Sequence, residues 1–252
     1  MPTFEVRLSQ TLEAGRARHG DAWYEGTPEE LIEQLAAEAA DWAGWAWVLH
    51  TRAGRYPEAE RGFVRDGLEH LAVLSIRLMR AIAVLAVEGP YTETSGEHRT
   101  PAGWLEALRH PEDWSFPRRV TGRVPVEAWA LLVADRLKAG SVEYGDLSFD
   151  RDGAELCIEL GDEATGLAGW AYVLRGRAET FEPEARAKVD QQLGGLVRAS
   201  AAAYERVRAI QYICVGVDTK DETPDYQYTV QQWLSAIVAR ERRHGSTAAG
   251  RV

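Results

Sequence analysis

Residues 42–49 read WAGWAWVL, and residues 167–174 read LAGWAYVL. The chain writes one unusual Trp-rich phrase twice, 125 positions apart, and the reason decides its architecture. Aligned to itself at that offset, it needs no gap from Leu12–Leu71 against Leu137–Leu196, and 22 of those 60 pairs are identical. The matches run through loops as well as helices. HGDAWY (19–24) answers YGDLSF (144–149), and ELIEQLAAEAADWAGWAWVL (30–49) answers ELCIELGDEATGLAGWAYVL (155–174). Arg61, Val64 and Leu68 answer Arg186, Val189 and Leu193. Two copies are too few for a solenoid. They imply a homodimer fused end to end, with a pseudo-twofold relation between its halves.

Each copy reads as three helices. The first spans about 4–17 and 126–139, each stopping near a glycine. The second begins after Thr27-Pro28, an N-cap followed by proline, and in the second copy near Asp150 to Asp152. It runs to about Ala53 and Ala178. The third starts near Pro57 and Pro183 and reaches roughly Leu85 and Ile210, with Leu68, Leu71, Leu74, Leu78 and Ile82 at three- and four-residue steps. The chain thus divides into repeat one (1–87), a Pro-rich linker with a short helix at 102–109 (88–124), repeat two (125–213), and a C-terminal helix at about 228–243 with a disordered end (214–252). No stretch alternates like a strand, so the class is all-α, a helical bundle of two three-helix units. Ala43, Gly44 and Ala46, with Ala168, Gly169 and Ala171, would let a neighbouring helix approach closely. Trp45 and Trp170 would supply apolar area beside that contact. A mid-helix glycine costs about 1 kcal/mol relative to alanine, so two of them at equivalent positions point to a packing constraint.

Bulk properties narrow the function. The net charge of −10 disfavours binding to nucleic acid. No apolar run is long enough for a membrane span, and MPTFEVRLSQ has no signal-peptide core, which makes the cytoplasm the expected compartment. Two cysteines, Cys157 and Cys214, read as buried free thiols and are too few for a thiolate metal site. Serine elbows, Walker loops and zinc spacings are missing. The histidines are scattered and do not recur between copies.

The carboxylates are the remaining source of chemistry. On a wheel of 100° per residue, Glu30, Gln34, Glu38 and Asp41 share an arc that continues as Trp45, Val48 and Arg52. In copy two the stripe is Glu155, Glu159, Glu163, Gly166, Trp170, Val173 and Arg177, with Asp162 alongside. Acids sharing a stripe with core tryptophans resist ionisation, and a divalent cation would relieve their repulsion. Oxygen-only ligands favour Mg²⁺ or Mn²⁺. The copies complement each other, with Glu38 and Asp41 from one and Glu159 and Glu163 from the other as the expected metal and catalytic set. The plain reading of the same pattern is a wetted helix face. Asp21 and Asp146 in the Gly-Asp loops read as turn residues before ligands.

EAADWAGWAWVL and DEATGLAGWAYVL resemble the Glu-x-x-Asp helix of the all-α nucleoside triphosphate pyrophosphohydrolases, the MazG-like group, and the HGD and YGD stretches are similar to those of phage-encoded members. The resemblance covers about 12–71 and 137–196. It implies that Glu38 and Asp41 are the Glu-x-x-Asp pair and that Glu159 and Glu163 are the acidic run. It implies Mg²⁺-assisted attack of water on the α-phosphate of a nucleotide, releasing nucleoside monophosphate and pyrophosphate. Arg52 and Arg177, or Arg61 and Arg186, would contact phosphates. The competing expectation is a non-catalytic helical interaction or nucleotide-binding protein that keeps the fold without the chemistry. Further self-association into a homo-oligomer is left open by the sequence.

Overall fold

Both second helices begin with the same reciprocal cap. Thr27 Oγ1 accepts from the Glu30 N–H at 3.2 Å while the Glu30 carboxylate accepts from the Thr27 N–H at 2.8 Å. Asp152 and Glu155 repeat the arrangement, both bonds at 2.8 Å. These caps start α2 (Pro28–Thr51) and α4 (Gly153–Gly176). They also give Glu30 and Glu155 a structural reason to recur, separate from any ligand.

The computed structural model describes residues 1–20, 26–87, 129–130, 132–138, 151–177, 181, 183–217 and 230–249. Among them the chain is all-helical. α1 (Phe4–His19) ends at Gly20, whose φ of 58° suits glycine. A short 3₁₀ turn, Ala53–Arg55, comes after α2 and ends it two residues before the expected limit. α3 (Glu58–Val87), α5 (Pro183–Cys214) and α6 (Val230–Ala249) complete the set. Helical residues at 132–138 occupy part of the expected first helix of repeat two. α6 continues through a stretch expected to be disordered, because Ala248 and Ala249 propagate a helix that no proline interrupts. The expected linker helix (102–109), Asp21 and Asp146 lie outside the described residues.

α2 and α3 form one hairpin and α4 and α5 another. The hairpins pack together through α2 on α4 and α3 on α5. α1 lies against α4, a helix of the other hairpin, and α6 lies on α3. The small residues of the repeated phrase set these approaches. A Cβ placed on Gly44 would sit 3.2 Å from Leu137 Cδ2, and one on Gly169 would sit 3.6 Å from Leu12 Cδ2. Leu12 and Leu137 are themselves 125 positions apart, as are the two glycines. Each hairpin therefore receives its covering leucine from a segment that the sequence assigns to the opposite repeat.

The third helices begin alike. Arg61 Nε donates to the Tyr56 carbonyl at 2.8 Å, and Arg186 Nε donates to the Phe181 carbonyl at 3.0 Å. Two arginines considered as phosphate contacts instead pin the loop that precedes their own helix. α6 is fixed by Trp233 against Trp47, ring centroids 5.4 Å apart, and by ion pairs from Arg80 to Glu241 and from Arg240 to Glu69. No helix among the described residues is long and apolar enough to cross a membrane.

Branched side chains at the two close approaches should push Leu12 and Leu137 from their seats. Gly44→Val and Gly169→Val are each expected to lower the urea unfolding free energy by roughly 1–3 kcal/mol. Gly62, with nothing within 4 Å of its added Cβ, is the control: Gly62→Ala should raise it by about 0.5–1 kcal/mol. Equal stability for wild type and both valine variants would contradict the close-approach argument.

Candidate functional site

α2 and α4 meet along their shared acid-and-tryptophan stripe. The Trp45 indole Nε1–H donates to Glu163 Oε1 at 3.0 Å, and the Trp170 indole Nε1–H donates to Glu38 Oε1 at 3.0 Å. Both bonds cross between the hairpins, and each is the image of the other under the 125-residue offset. A shielded indole N–H requires an acceptor, and a shielded carboxyl requires a donor. Each helix supplies both.

The Glu38 and Glu163 carboxyls also lie within hydrogen-bonding reach of each other. Room for them comes from Gly166, where an added Cβ would stand 2.6 Å from Glu38 Oε2. Asp41 holds the equivalent position on α2. A second carboxylate there on α4 would collide with Glu38.

Two partly buried carboxyls this close resist ionising together. Loss of solvent pushes Glu163 well above the ordinary carboxylate range, and the facing Glu38 and nearby Asp41 push it further. Glu38 is raised too, first by loss of solvent, while the hydrogen bonds from Glu163 and Trp170 oppose the rise. Burial and mutual repulsion thus favour retention of a proton by the pair. Arg136 is the cation that faces this group from the neighbouring helical segment.

The four candidate acids are not used alike. Glu38 and Glu163 converge at the seam. Asp41 accepts from Arg136, with Nε to Oδ1 at 2.7 Å and a second bond from Nη2 to Oδ2. Glu159 pairs with Arg151 near the start of α4. Among the described residues, no group of three or more His, Cys, Asp or Glu side chains is disposed to hold a metal ion. A hard divalent cation needs ionised oxygen ligands. Glu38 and Glu163 each accept an indole N–H, and the neighbouring Asp41 is engaged by Arg136.

Of the other two arginines expected at phosphates, Arg52 is buried and donates to the Arg151 carbonyl, tying the end of α2 to the residue before α4's cap. Arg177 sits just past α4, with its backbone N–H on the Leu174 carbonyl at 2.9 Å.

The polar role of the tryptophans was missed by the sequence reading, which gave them only apolar area. Its signal was present, since Glu38 and Trp45 are seven residues apart on α2, as are Glu163 and Trp170 on α4. Arg136 and the Arg7–Asp162 pair were also missed, because nothing local marks a partner so distant in the chain. No family model matches the chain, and neither the curated proteins nor the solved structures contain a match.

The carboxyl pair should leave a signature in stability against pH. Both groups titrate above their unfolded range, so the folded chain binds protons more readily than the unfolded one. Their stabilisation is complete in mild acid and is lost as pH rises through the folded values. Glu69, held low by His50 and Arg240, acts in the opposite sense and only in stronger acid. Glu163→Gln keeps an acceptor for Trp45 and a donor for Glu38 but cannot ionise. At pH 8 it should raise the unfolding free energy by roughly 1–2 kcal/mol. It should also flatten the decline between pH 5.5 and 8 that wild type shows in urea titrations. A wild-type curve that climbs over that interval would overturn the shared-proton assignment.

Proposed function

We infer that this chain is a non-catalytic helical interaction protein, built as two fused copies of one unit about a pseudo-twofold axis. In this reading it keeps a bundle of the pyrophosphohydrolase type while its seam acids serve cohesion. One observation carries the inference: every candidate ligand already has a partner. Glu38 and Glu163 hold each other and two indoles. Asp41 is taken by Arg136 and Glu159 by Arg151. Converting this set into a magnesium site would require deprotonating a shielded pair and releasing an arginine.

The convergence of Glu38 and Glu163, with Asp41 one turn away, favours a second reading: a Mg²⁺- or Mn²⁺-dependent nucleoside triphosphate pyrophosphohydrolase. It predicts that metal and nucleotide bind together at the seam and that pyrophosphate is released.

Melting curves and a pyrophosphate-release assay separate the two. The interaction reading expects the melting temperature with 5 mM MgCl₂ or MnCl₂ plus a nucleoside triphosphate to stay within about 1 °C of the apo value. It also expects no pyrophosphate above the protein-free blank. Joint stabilisation by metal and nucleotide, with pyrophosphate release that Glu38→Gln abolishes and the exposed Glu13→Gln retains, would replace it with the enzyme reading.

A further inference from the structure

We propose that Cys157 and Cys214 are a redox modification site, a dithiol that closes to an intramolecular disulfide when the protein meets a peroxide. Cys157 lies in the second turn of α4 and Cys214 is the last residue of α5, so the hairpin brings a helix start and a helix end together. Their sulfurs are 4.0 Å apart and share a hydrogen bond, and both residues are buried and free. A disulfide bond is about 2.05 Å long, so closure asks each sulfur to move about 1 Å toward the other.

The surroundings favour that movement on one side. α5 stops at Cys214, where the Val215 N–H bonds the Gln211 carbonyl at 3.0 Å and Gly216 adopts a φ of 82°. Tyr212 and Val215 are 87% and 66% exposed. Opening this last helical turn delivers Cys214 to solvent without disturbing the seam. Position also divides the labour: Cys214 ends α5 beside this exposed turn, whereas Cys157 lies inside α4 with no exposed surface. Cys214 is therefore the attacking sulfur and Cys157 the resolving one, and the thiols shift in the matching directions, Cys214 drawn down and Cys157 pushed well up. Tyr56, buried beside both sulfurs, closes the opposite side.

The steps balance. The Cys214 thiolate attacks one oxygen of hydrogen peroxide, breaks the O–O bond and releases hydroxide, becoming a sulfenic acid. Cys157 gives up its proton and attacks the sulfenic sulfur, forming the S–S bond and expelling hydroxide, which leaves as water. Two thiols lose two protons and two electrons, and one peroxide becomes two waters.

The test uses the full chain, incubated with a small excess of hydrogen peroxide, then denatured and alkylated. The expected product is a monomer two mass units lighter, carrying no alkyl label. Peptide mapping should link the segments bearing Cys157 and Cys214, dithiothreitol should restore both thiols, and the oxidised form should melt about 5 °C or more higher. Cys157→Ser should stop the reaction at a sulfenic acid on Cys214 that a dimedone reagent captures, and Cys214→Ser should yield no such adduct. The proposal fails if wild type, under conditions that oxidise a free model thiol, retains two alkylatable thiols. It fails equally if its only products are disulfide-linked dimers or sulfinic and sulfonic acids. Wild-type mapping alone decides the matter should either serine variant fold poorly. This site stands apart from the nucleotide question and survives either answer to it.

Discussion

Two indole N–H groups, each donating to a carboxyl of the opposite hairpin, impose the conditions that the rest of the molecule meets. An indole withdrawn from water needs an acceptor, and a carboxyl withdrawn from water needs donors. Trp45 and Trp170 answer Glu163 and Glu38, so neither α2 nor α4 satisfies its own polar groups alone. The backbones must lie close for bonds of this length to form. Gly166 on α4 is the residue that permits it. Gly166 does more than thin the helix, because it clears the volume in which the Glu38 carboxyl rests.

The fold was readable because its determinants are periodic and local. Thr27-Pro28 and Asp152 announce helix starts, the leucines of α3 recur at helical steps, and the offset alignment shows that each half repeats the other. The end of α6 misled because Gly-Ser-Thr composition suggests disorder, whereas a helix already begun continues until a breaker stops it, and no proline stands in Val230–Ala249. The site was half readable. The convergence of Glu38 and Glu163 came from the repeat, since equivalent positions on two facing helices meet. The fate of Asp41 and Glu159 did not, because their arginines lie beyond the stripe, Arg136 being 95 residues from Asp41. Pairing at that separation is decided by tertiary packing, which helix periodicity does not encode. Glu30 and Glu155 share the acidic stripe but belong to the capping boxes.

Charge is handled differently in the two layers of the molecule. Away from the Glu38–Glu163 pair, acids meet arginines: Asp162 with Arg7, Asp41 with Arg136, Glu241 with Arg80. At the seam, acids meet each other and two neutral donors, and a retained proton removes the repulsion. A seam that carries one charge instead of two draws less water toward the tryptophans.

The crossing of α1 onto α4 bears on how the chain comes into being. Arg7 and Thr11 find their partners, Asp162 and Thr165, more than 150 residues later. During synthesis the earliest helix leaves the ribosome long before its seat exists, and the first hairpin emerges with its Ala-Gly-Trp-Ala face bare. Maturation has to wait for the second half, and throughout that wait an apolar, close-packing surface is open to neighbours. For a polypeptide wired in this way, another nascent copy, which carries the same seats, is the rival best matched to that surface.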